Sequence, residues 1–387
     1  MVIPALPFFP VPPLHSVTDA RRLAQRRLPK LVFDYIDGAA GIEGAAARNQ
    51  QALASIELTQ RALVNVDKRS LATRVFDREW KLPFGIAPMG MCNLSWPGGD
   101  NYLSAAAVAN DIPIGLSTAA SSSIEYMCER AGKNLWFQLY VGQSIELGME
   151  LVERAEKSGC ETLILTIDVP VVAARIRDQK NGFKAPLKIG PRQFLDFALH
   201  AEWSLRTLKA GTPTLANFDT GDGSKQKFNR EEGRGKLTWE FLAELRKQWK
   251  GRLVIKGISH VDDARKAMDC GVDAIYVSNH GGRQLDAAPA AITRLVEIRK
   301  ALGPEATLFF DSGVRNGDDI VRAIACGADF VFLGRPFLYA VAAAGESGLQ
   351  QIIDVLAQQT STVLAQTGLT SIDGITKNIL VRSDVWS

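Results

Sequence analysis

The stretch Ala274-Ile275-Tyr276-Val277-Ser278-Asn279-His280-Gly281-Gly282-Arg283-Gln284-Leu285-Asp286 decides how this chain is read. Its first four residues are an apolar run that reads as a short buried strand. Just past the strand end, a histidine and an arginine stand three residues apart with two glycines between them. An imidazole can take up a proton near neutral pH, and a guanidinium can grip a carboxylate through two parallel hydrogen bonds. Glycines let a flat ligand lie close to the backbone. His-Gly-Gly alone would also suit a polar surface turn, so the reading depends on whether other strands end in the same way.

Working outward, short apolar runs recur at Leu82–Pro88, Ile112–Leu116, Leu135–Tyr140, Thr162–Ile167, Leu253–Lys256, Thr307–Asp311 and Asp329–Leu333, eight with Ala274–Ser278. Amphipathic stretches lie between them, among them Asn101–Ala109, Ile145–Ser158, Val261–Gly271, Pro289–Leu302 and Asp318–Gly327. Eight strands alternating with helices predict an α/β fold, a (β/α)8 TIM barrel with a parallel core. A doubly wound open sheet is the rival, but no G-x-G-x-x-G follows the first run. Residues 1–80 are expected to form an N-terminal arm and helices, 82–387 the barrel, and 184–236 an inserted active-site loop. About 85 residues separate the fourth and fifth runs, far more than one helix needs. Within that gap, Gly221 to Gly235 is polar and glycine-spaced, the composition of a mobile loop.

The 46% apolar and 22% charged fractions are globular, and a net charge of +3 is too small to argue for nucleic acid as a partner. Five scattered cysteines with no C-x-x-C pair suggest reduced thiols in the cytoplasm. No run approaches the ~18 apolar residues of a membrane span. Met1 to Leu14 carries five prolines and no basic lead, so it reads as an extended arm packing on the body or on a neighbouring subunit rather than as a signal peptide.

In a barrel of this kind catalytic groups gather at the C-terminal strand ends. Here the runs end, in order, on Pro88-Met89-Gly90, Ser117-Thr118, Gln138 with Tyr140, Thr166 with Asp168, Lys256-Gly257, Ser278 to Arg283, Asp311-Ser312-Gly313-Val314-Arg315 and Gly334-Arg335. The last two suit a phosphate: small residues allow close approach, and two guanidiniums face the anion. Of the four histidines, His15, His200 and His260 read as surface or capping residues, leaving His280 with the catalytic address.

The segment Ser278–Asp286, with the strand ends above, resembles the FMN-dependent α-hydroxy acid oxidases and dehydrogenases, over nearly the whole chain from Leu28-Pro29-Lys30 onward. That resemblance implies FMN as cofactor, its phosphate held by Gly313, Arg315, Gly334 and Arg335. Its ring system would meet Pro88, Met89, Gly90, Ser117, Gln138, Thr166 and Lys256, with Ser278 and Asp311 also on the cofactor side. Lys256 would neutralise charge at the pyrimidine end of the reduced flavin. The substrate is expected to be a small (S)-2-hydroxy acid. Arg283 and Arg175 would clamp its carboxylate with help from Tyr35, and Tyr140 would bond its oxygen. His280 would act as base with Asp168 as its partner.

Within that family, Ala119 stands where short-chain glycolate oxidases have a bulky Trp, which predicts room for a larger, aromatic substituent. Gly90 in place of alanine, and Arg175-Ile-Arg177-Asp178, resemble the mandelate dehydrogenases, with respiratory L-lactate dehydrogenases next. Ala174 and Gly182 depart from the family pattern, as does Gly38-Ala39-Ala40-Gly41, for which the sequence offers no interpretation. The expected electron acceptor is a separate quinone or cytochrome. An oxidase passing electrons to O2 to make H2O2 is the same-fold alternative, and an FMN-barrel isomerase the more distant one. A homotetramer is implied. Phe194, Phe197, Ala201, Leu205 and Leu208 fall on one helical face, with Trp203 nearby and Arg192, Arg206 and Lys209 as cations. Such a helix can lie on a membrane surface or pack on the barrel, so a peripheral place on the inner face of the cell membrane is expected alongside a cytoplasmic one.

Overall fold

A computed structural model describes residues 12–141, 144–183, 189–218 and 237–381. Eight strands close into a parallel barrel: β1 (Phe84–Met89), β2 (Ile114–Ser117), β3 (Leu135–Leu139), β4 (Thr162–Thr166), β5 (Arg252–Ile258), β6 (Ala274–Val277), β7 (Leu308–Phe310) and β8 (Phe330–Leu333). Neighbours in sequence are neighbours in the sheet, and β8 pairs with β1. All eight expected strands are present, with ends shifted by one or two residues. Helices face the outside, including Ile145–Lys157, Val261–Asp269, Ala291–Leu302 and Gly317–Ala325, the first started by Ser144 accepting the Leu147 N–H and the last by Asn316 accepting the Asp319 N–H. His260 caps Val261–Asp269 in the same way, as its sequence position suggested.

Side chains alternate across a strand, so residues two apart share a face. One inward layer is Ala87, Trp136, Ile164, Val254, Tyr276, Phe309 and Phe332, all buried. Aromatic rings fill it, with Tyr276 stacked on Phe332 at 5.1 Å and Trp136 at 5.5 Å from Phe309. A two-stranded antiparallel pair, Thr73–Val75 and Arg78–Trp80, adds Val75 and Trp80 to the same cluster. Two residues further along each strand direction, on the same inward face, stand Met89, Gln138, Thr166, Lys256, Ser278, Asp311 and Gly334. The candidate site is the layer above the hydrophobic plug.

Gly257 makes one approach possible. It lies at φ 100° where the pairing of β5 with β6 shifts register, and a Cβ there would fall 2.6 Å from the Cβ of Asp168.

The front of the chain packs on the back. Leu14 is buried and its N–H donates to Gln351 Oε1 at 2.9 Å, so the arm does pack on the body at that point. Met1 to Val11 lie outside the described residues. Helix Lys30–Asp37 carries Tyr35 to the strand-end face, where the Tyr35 hydroxyl donates to the Gly90 carbonyl at 3.3 Å.

The insertion corrects one expectation. Pro191–Leu199 and Ala201–Ala210 are two helices broken at His200, whose φ of −109° and ψ of 53° interrupt the turn. A single helical face therefore does not exist. Phe197 turns inward to pack 5.6 Å from Trp203, which is buried with its indole N–H on the Leu94 carbonyl. Phe194, Leu195, Leu199, Leu205 and Leu208 point outward, each at least 55% exposed. The glycine-spaced stretch 221–235 lies outside the described residues. No helix among the described residues is long and apolar enough to cross a membrane.

Phe309→Ala should lower stability by ~3–5 kcal/mol, because the ring is fully buried among rings that cannot collapse onto the gap. Thermal unfolding of the flavin-loaded variant would show it as a depressed midpoint; an unchanged midpoint would mean the barrel interior is not close-packed.

Candidate active site

The upper layer is polar and, in part, satisfied internally. Lys256 Nζ donates to Ser278 Oγ at 2.8 Å and pairs with Asp311 Oδ2 at 3.2 Å. Burial would drive its proton off, but Asp311 and Asp168 outweigh burial and raise its pKa, so the buried ammonium stays charged. Ser117 Oγ donates to Gln138 Oε1 at 3.0 Å. By contrast, Gln138 Nε2 and Thr166 Oγ1 are buried with no hydrogen-bond partner among the described residues. Native interiors rarely leave such groups unmet.

The loop after β6 is held in an unusual shape. His280, Gly281 and Gly282 have φ of 59°, 63° and 78°. Ser278 Oγ accepts the His280 N–H at 3.0 Å, and Ser312 Oγ accepts the N–H groups of Gly281 at 3.0 Å and Asn279 at 3.3 Å. Both hydroxyls donate to Asp311 Oδ1, at 2.5 and 2.7 Å. A Cβ on Gly282 would sit 2.5 Å from the Ala46 nitrogen, so glycine is required there. Asn279 and Asn49 exchange two amide hydrogen bonds of 2.8 Å, tying the loop to helix Gly44–Ala54.

This loop aims His280 across the mouth. Nδ1 faces Asp168 Oδ1 at 3.0 Å and Oδ2 at 3.2 Å, and Nε2 lies 3.2 Å from the Tyr140 hydroxyl. Burial lowers the His280 pKa by more than Asp168 raises it, and Lys256 and Arg175 add like-charge repulsion. Burial would raise the Asp168 pKa, but His280 and Lys256 hold it below the usual carboxylate range. The pair is thus a neutral imidazole backed by a carboxylate, with the Asp168 contact fixing Nδ1 as donor and leaving Nε2 as acceptor. Such an arrangement can take a proton and stabilise the cation it becomes.

The arginines differ from the sequence expectation. Arg335 donates from Nε to the Ile36 carbonyl at 3.2 Å, from Nη1 to Gly281 at 2.9 Å and from Nη2 to Gly38 at 2.9 Å. Its guanidinium is committed to main chain, and Arg335 also opens helix Arg335–Gln366, whose first N–H groups have no partner within the helix. Arg283 Nη1 likewise donates to the carbonyls of Tyr35 at 2.9 Å and Gly38 at 2.7 Å, which orients the fork over the mouth. Arg315 lies just past Gly313, which at φ 102° packs against Asn49. Ala119 abuts Gly90: a Cβ on Gly90 would stand 3.2 Å from the Ala119 methyl.

A family model described as FMN-dependent dehydrogenase matches residues 24–382. The chain belongs to that family. It is 38% identical over 380 residues to an L-lactate dehydrogenase of Xanthobacter autotrophicus, covering 95% of this chain and 97% of that one. An L-lactate dehydrogenase of Pseudomonas aeruginosa is also 38% identical, over 376 residues, with 95% and 98% covered. Among solved structures, a monotopic membrane protein, (S)-mandelate dehydrogenase, superposes with a TM-score of 0.90 at 37% identity, covering 95% of this chain and 99% of that one. A mandelate oxidase superposes at 0.81 and 33%, covering 94% and 97%. The enzyme is therefore an FMN-dependent oxidoreductase acting on 2-hydroxy acids.

The residues present suit the cofactor. The Gln138 amide and Thr166 hydroxyl, unpartnered among the described residues, sit at the ends of adjacent strands beside the Lys256 ammonium, donors of the kind that the acceptors of a flavin pyrimidine ring would satisfy. Asn49 and Glu43 escaped the sequence reading, and Ser312 was read only as a small residue at a strand end, not as the acceptor that shapes the loop after β6. Glu43 answers the altered Gly38–Gly41 pattern, since its Oε1 accepts the Ala39 N–H at 3.0 Å and its Oε2 pairs with Arg177. Asp286, though part of the signature, has a structural task, accepting the N–H groups of Ile42 at 2.9 Å and Ala45 at 3.0 Å.

His280→Ala should keep FMN, because no flavin-side group named above is lost, and should lose ~10²–10⁴ in kcat. Flavin content by absorbance and steady-state turnover check this; near-parent turnover would remove His280 from the mechanism.

Proposed function

We propose that the 2-hydroxy acid oxidised by this enzyme carries a bulky, mandelate-like substituent, and that its electrons leave to a separate acceptor rather than to O2. The observation that carries the substituent is Ala119 against Gly90, a wall of one methyl group where an indole would otherwise fill the pocket. Burying a ring there would stabilise the complex in proportion to its area.

In this reading Arg283 and Arg175 bind the substrate carboxylate, with the Tyr35 phenol assisting, and Tyr140 bonds the hydroxyl oxygen. The (S)-hydroxy acid gives up two electrons and two protons to become the 2-oxo acid. His280 Nε2 receives one proton, and Asp168 stabilises the imidazolium so formed. FMN, when bound, supplies the chemistry that accepts the electron pair and the second proton. Lys256 offers positive charge to its pyrimidine end, Gln138 and Thr166 offer donors, and Pro88 to Gly90 and Ser117 line its ring. Gly313, Arg315 and the N–H groups at Gly334 and Arg335 hold the phosphate. An isomerase has no use for two arginines flanking a His–Asp pair.

Membrane association is part of the same reading. Trp203 and Phe197 fasten the insertion to the body, while Arg27 and Arg206 lie 4.7 and 5.5 Å from the Trp96 ring and both pair with Glu202. The fixed helix pair presents five apolar side chains outward, flanked by exposed Arg192 and Lys209. That combination favours the headgroup region of an anionic bilayer. A solved relative is described as monotopic.

Kinetics with glycolate, lactate and mandelate, using an artificial acceptor beside O2, test the assignment. Mandelate should give the highest kcat/KM, Ala119→Trp should reverse or flatten that order, and peroxide should be minor. A parent that prefers glycolate, or turns over fastest with O2, would contradict it. In vesicle co-sedimentation, the parent should pellet with anionic lipid and a Phe194→Ser, Leu208→Ser variant should do so much less. A parent that stays in the supernatant would refute the membrane reading.

A further inference from the structure

Arg177 is used by none of the chemistry above, yet it joins two elements that bracket the substrate site. It lies on helix Ile176–Lys180, directly after Arg175. Its Nη1 donates to Asp37 Oδ2 at 2.7 Å and reaches Asp34 Oδ1 at 3.4 Å, and its Nη2 pairs with Glu43. Asp34 and Asp37 belong to helix Lys30–Asp37, which carries Tyr35. Around this contact, Asn181 Nδ2 donates to Asp34 at 2.7 Å, the Gly41 N–H donates to the Ala174 carbonyl at 2.9 Å, and Phe183 stacks on Tyr35 at 4.7 Å.

Resting on the carboxylate-clamp reading, we propose that Arg177 is a positioning residue: its bonds to Asp37, Asp34 and Glu43 are a clasp that sets Arg175 opposite His280 and holds Phe183 against Tyr35. Two features separate this from a merely structural ion pair. Asp37 keeps Arg21 at 2.6 and 2.9 Å and the Tyr339 hydroxyl at 2.7 Å without Arg177. Asp34 keeps Lys30 and Asn181. Removing Arg177 therefore strands neither buried carboxylate, and the cost to folding should be small. What is lost is the bridge between the two elements, and a displacement of about 1 Å in a binding group can cost ~10²-fold in rate.

The test is Arg177→Gln in the flavin-loaded enzyme, with Arg177→Lys and Arg177→Gln, Glu43→Gln beside it. Arg177→Gln should raise KM for the hydroxy acid at least about tenfold, a displacement smaller than that limit, with a smaller fall in kcat. Binding of the unreactive 2-oxo acid, read as a perturbation of the flavin spectrum, should weaken in parallel. FMN content and melting midpoint should stay near the parent's, and amide exchange should rise over 175–183 and 30–43. Lysine should restore part of the affinity, and adding Glu43→Gln should cost little more, since the bond is already gone. Unchanged KM, oxo-acid binding and exchange in Arg177→Gln, with the parent active, would overturn the clasp. Failure of the clamp reading would look different, with Arg175→Gln itself leaving KM untouched.

Discussion

The site depends on Asp311. One of its oxygens receives two serine hydroxyls, and those hydroxyls receive the main-chain N–H groups of Asn279, His280 and Gly281. The other oxygen holds the Lys256 ammonium. A single carboxylate thus fixes both the loop that carries His280, the proposed base, and the Lys256 ammonium, the proposed flavin-side charge. The turns it supports after β6 and β7 are strained, with His280 in the first and Ser312 in the second at positive φ without being glycine, costing ~1–3 kcal/mol each. Hydrogen bonds to a charged group contribute about 1.5–3 kcal/mol each, and there are two, with three N–H bonds of ~0.5–1.5 kcal/mol behind them. The bonds offset the strain, so His280 is held at one angle rather than sampling several.

Burying four ionisable groups in one small layer would be costly if any stood alone. Lys256 lies between Asp311 and Asp168, and His280 is neutral, so the layer carries two carboxylates against one ammonium and, in the proposed reaction, a transient imidazolium. The same low-dielectric setting strengthens each interaction at the moment charge develops on His280.

The barrel and the side chains gathered at its strand ends were legible because both follow from period two. The apolar run that gives Trp136, Ile164, Val254, Tyr276 and Phe309 their inward face gives the same face to Gln138, Thr166, Lys256, Ser278 and Asp311 two residues later. What could not be read was where a long side chain ends. Arg335 looked like an anion ligand, but its guanidinium meets the carbonyls of Ile36, Gly38 and Gly281, which lie some 50 to 300 residues away in sequence. Glu43 was invisible for a related reason, since its partners, Ala39 and Arg177, meet only once helix Lys30–Asp37 crosses the mouth. In the insertion, hydrophobic spacing suggested one helix because the break at His200 leaves the apolar count unchanged and alters only its direction.

The central claim is that a buried, neutral His280 backed by Asp168 takes the proton from the hydroxy acid. A base whose pKa is lowered stays unprotonated to more acidic pH, so activity should be flat through neutrality and fall only below the ordinary value of 6.5. The direct measurement is the anaerobic rate constant of flavin bleaching at limiting (S)-hydroxy acid across pH, which reports ionisation of the substrate-free enzyme, in the parent and in Asp168→Asn. An acid limb below that value is expected in the parent, and a rate depressed at every pH in the variant. A limb above it, or a variant that bleaches as fast as the parent, would rule out a neutral His280 backed by Asp168 as the base.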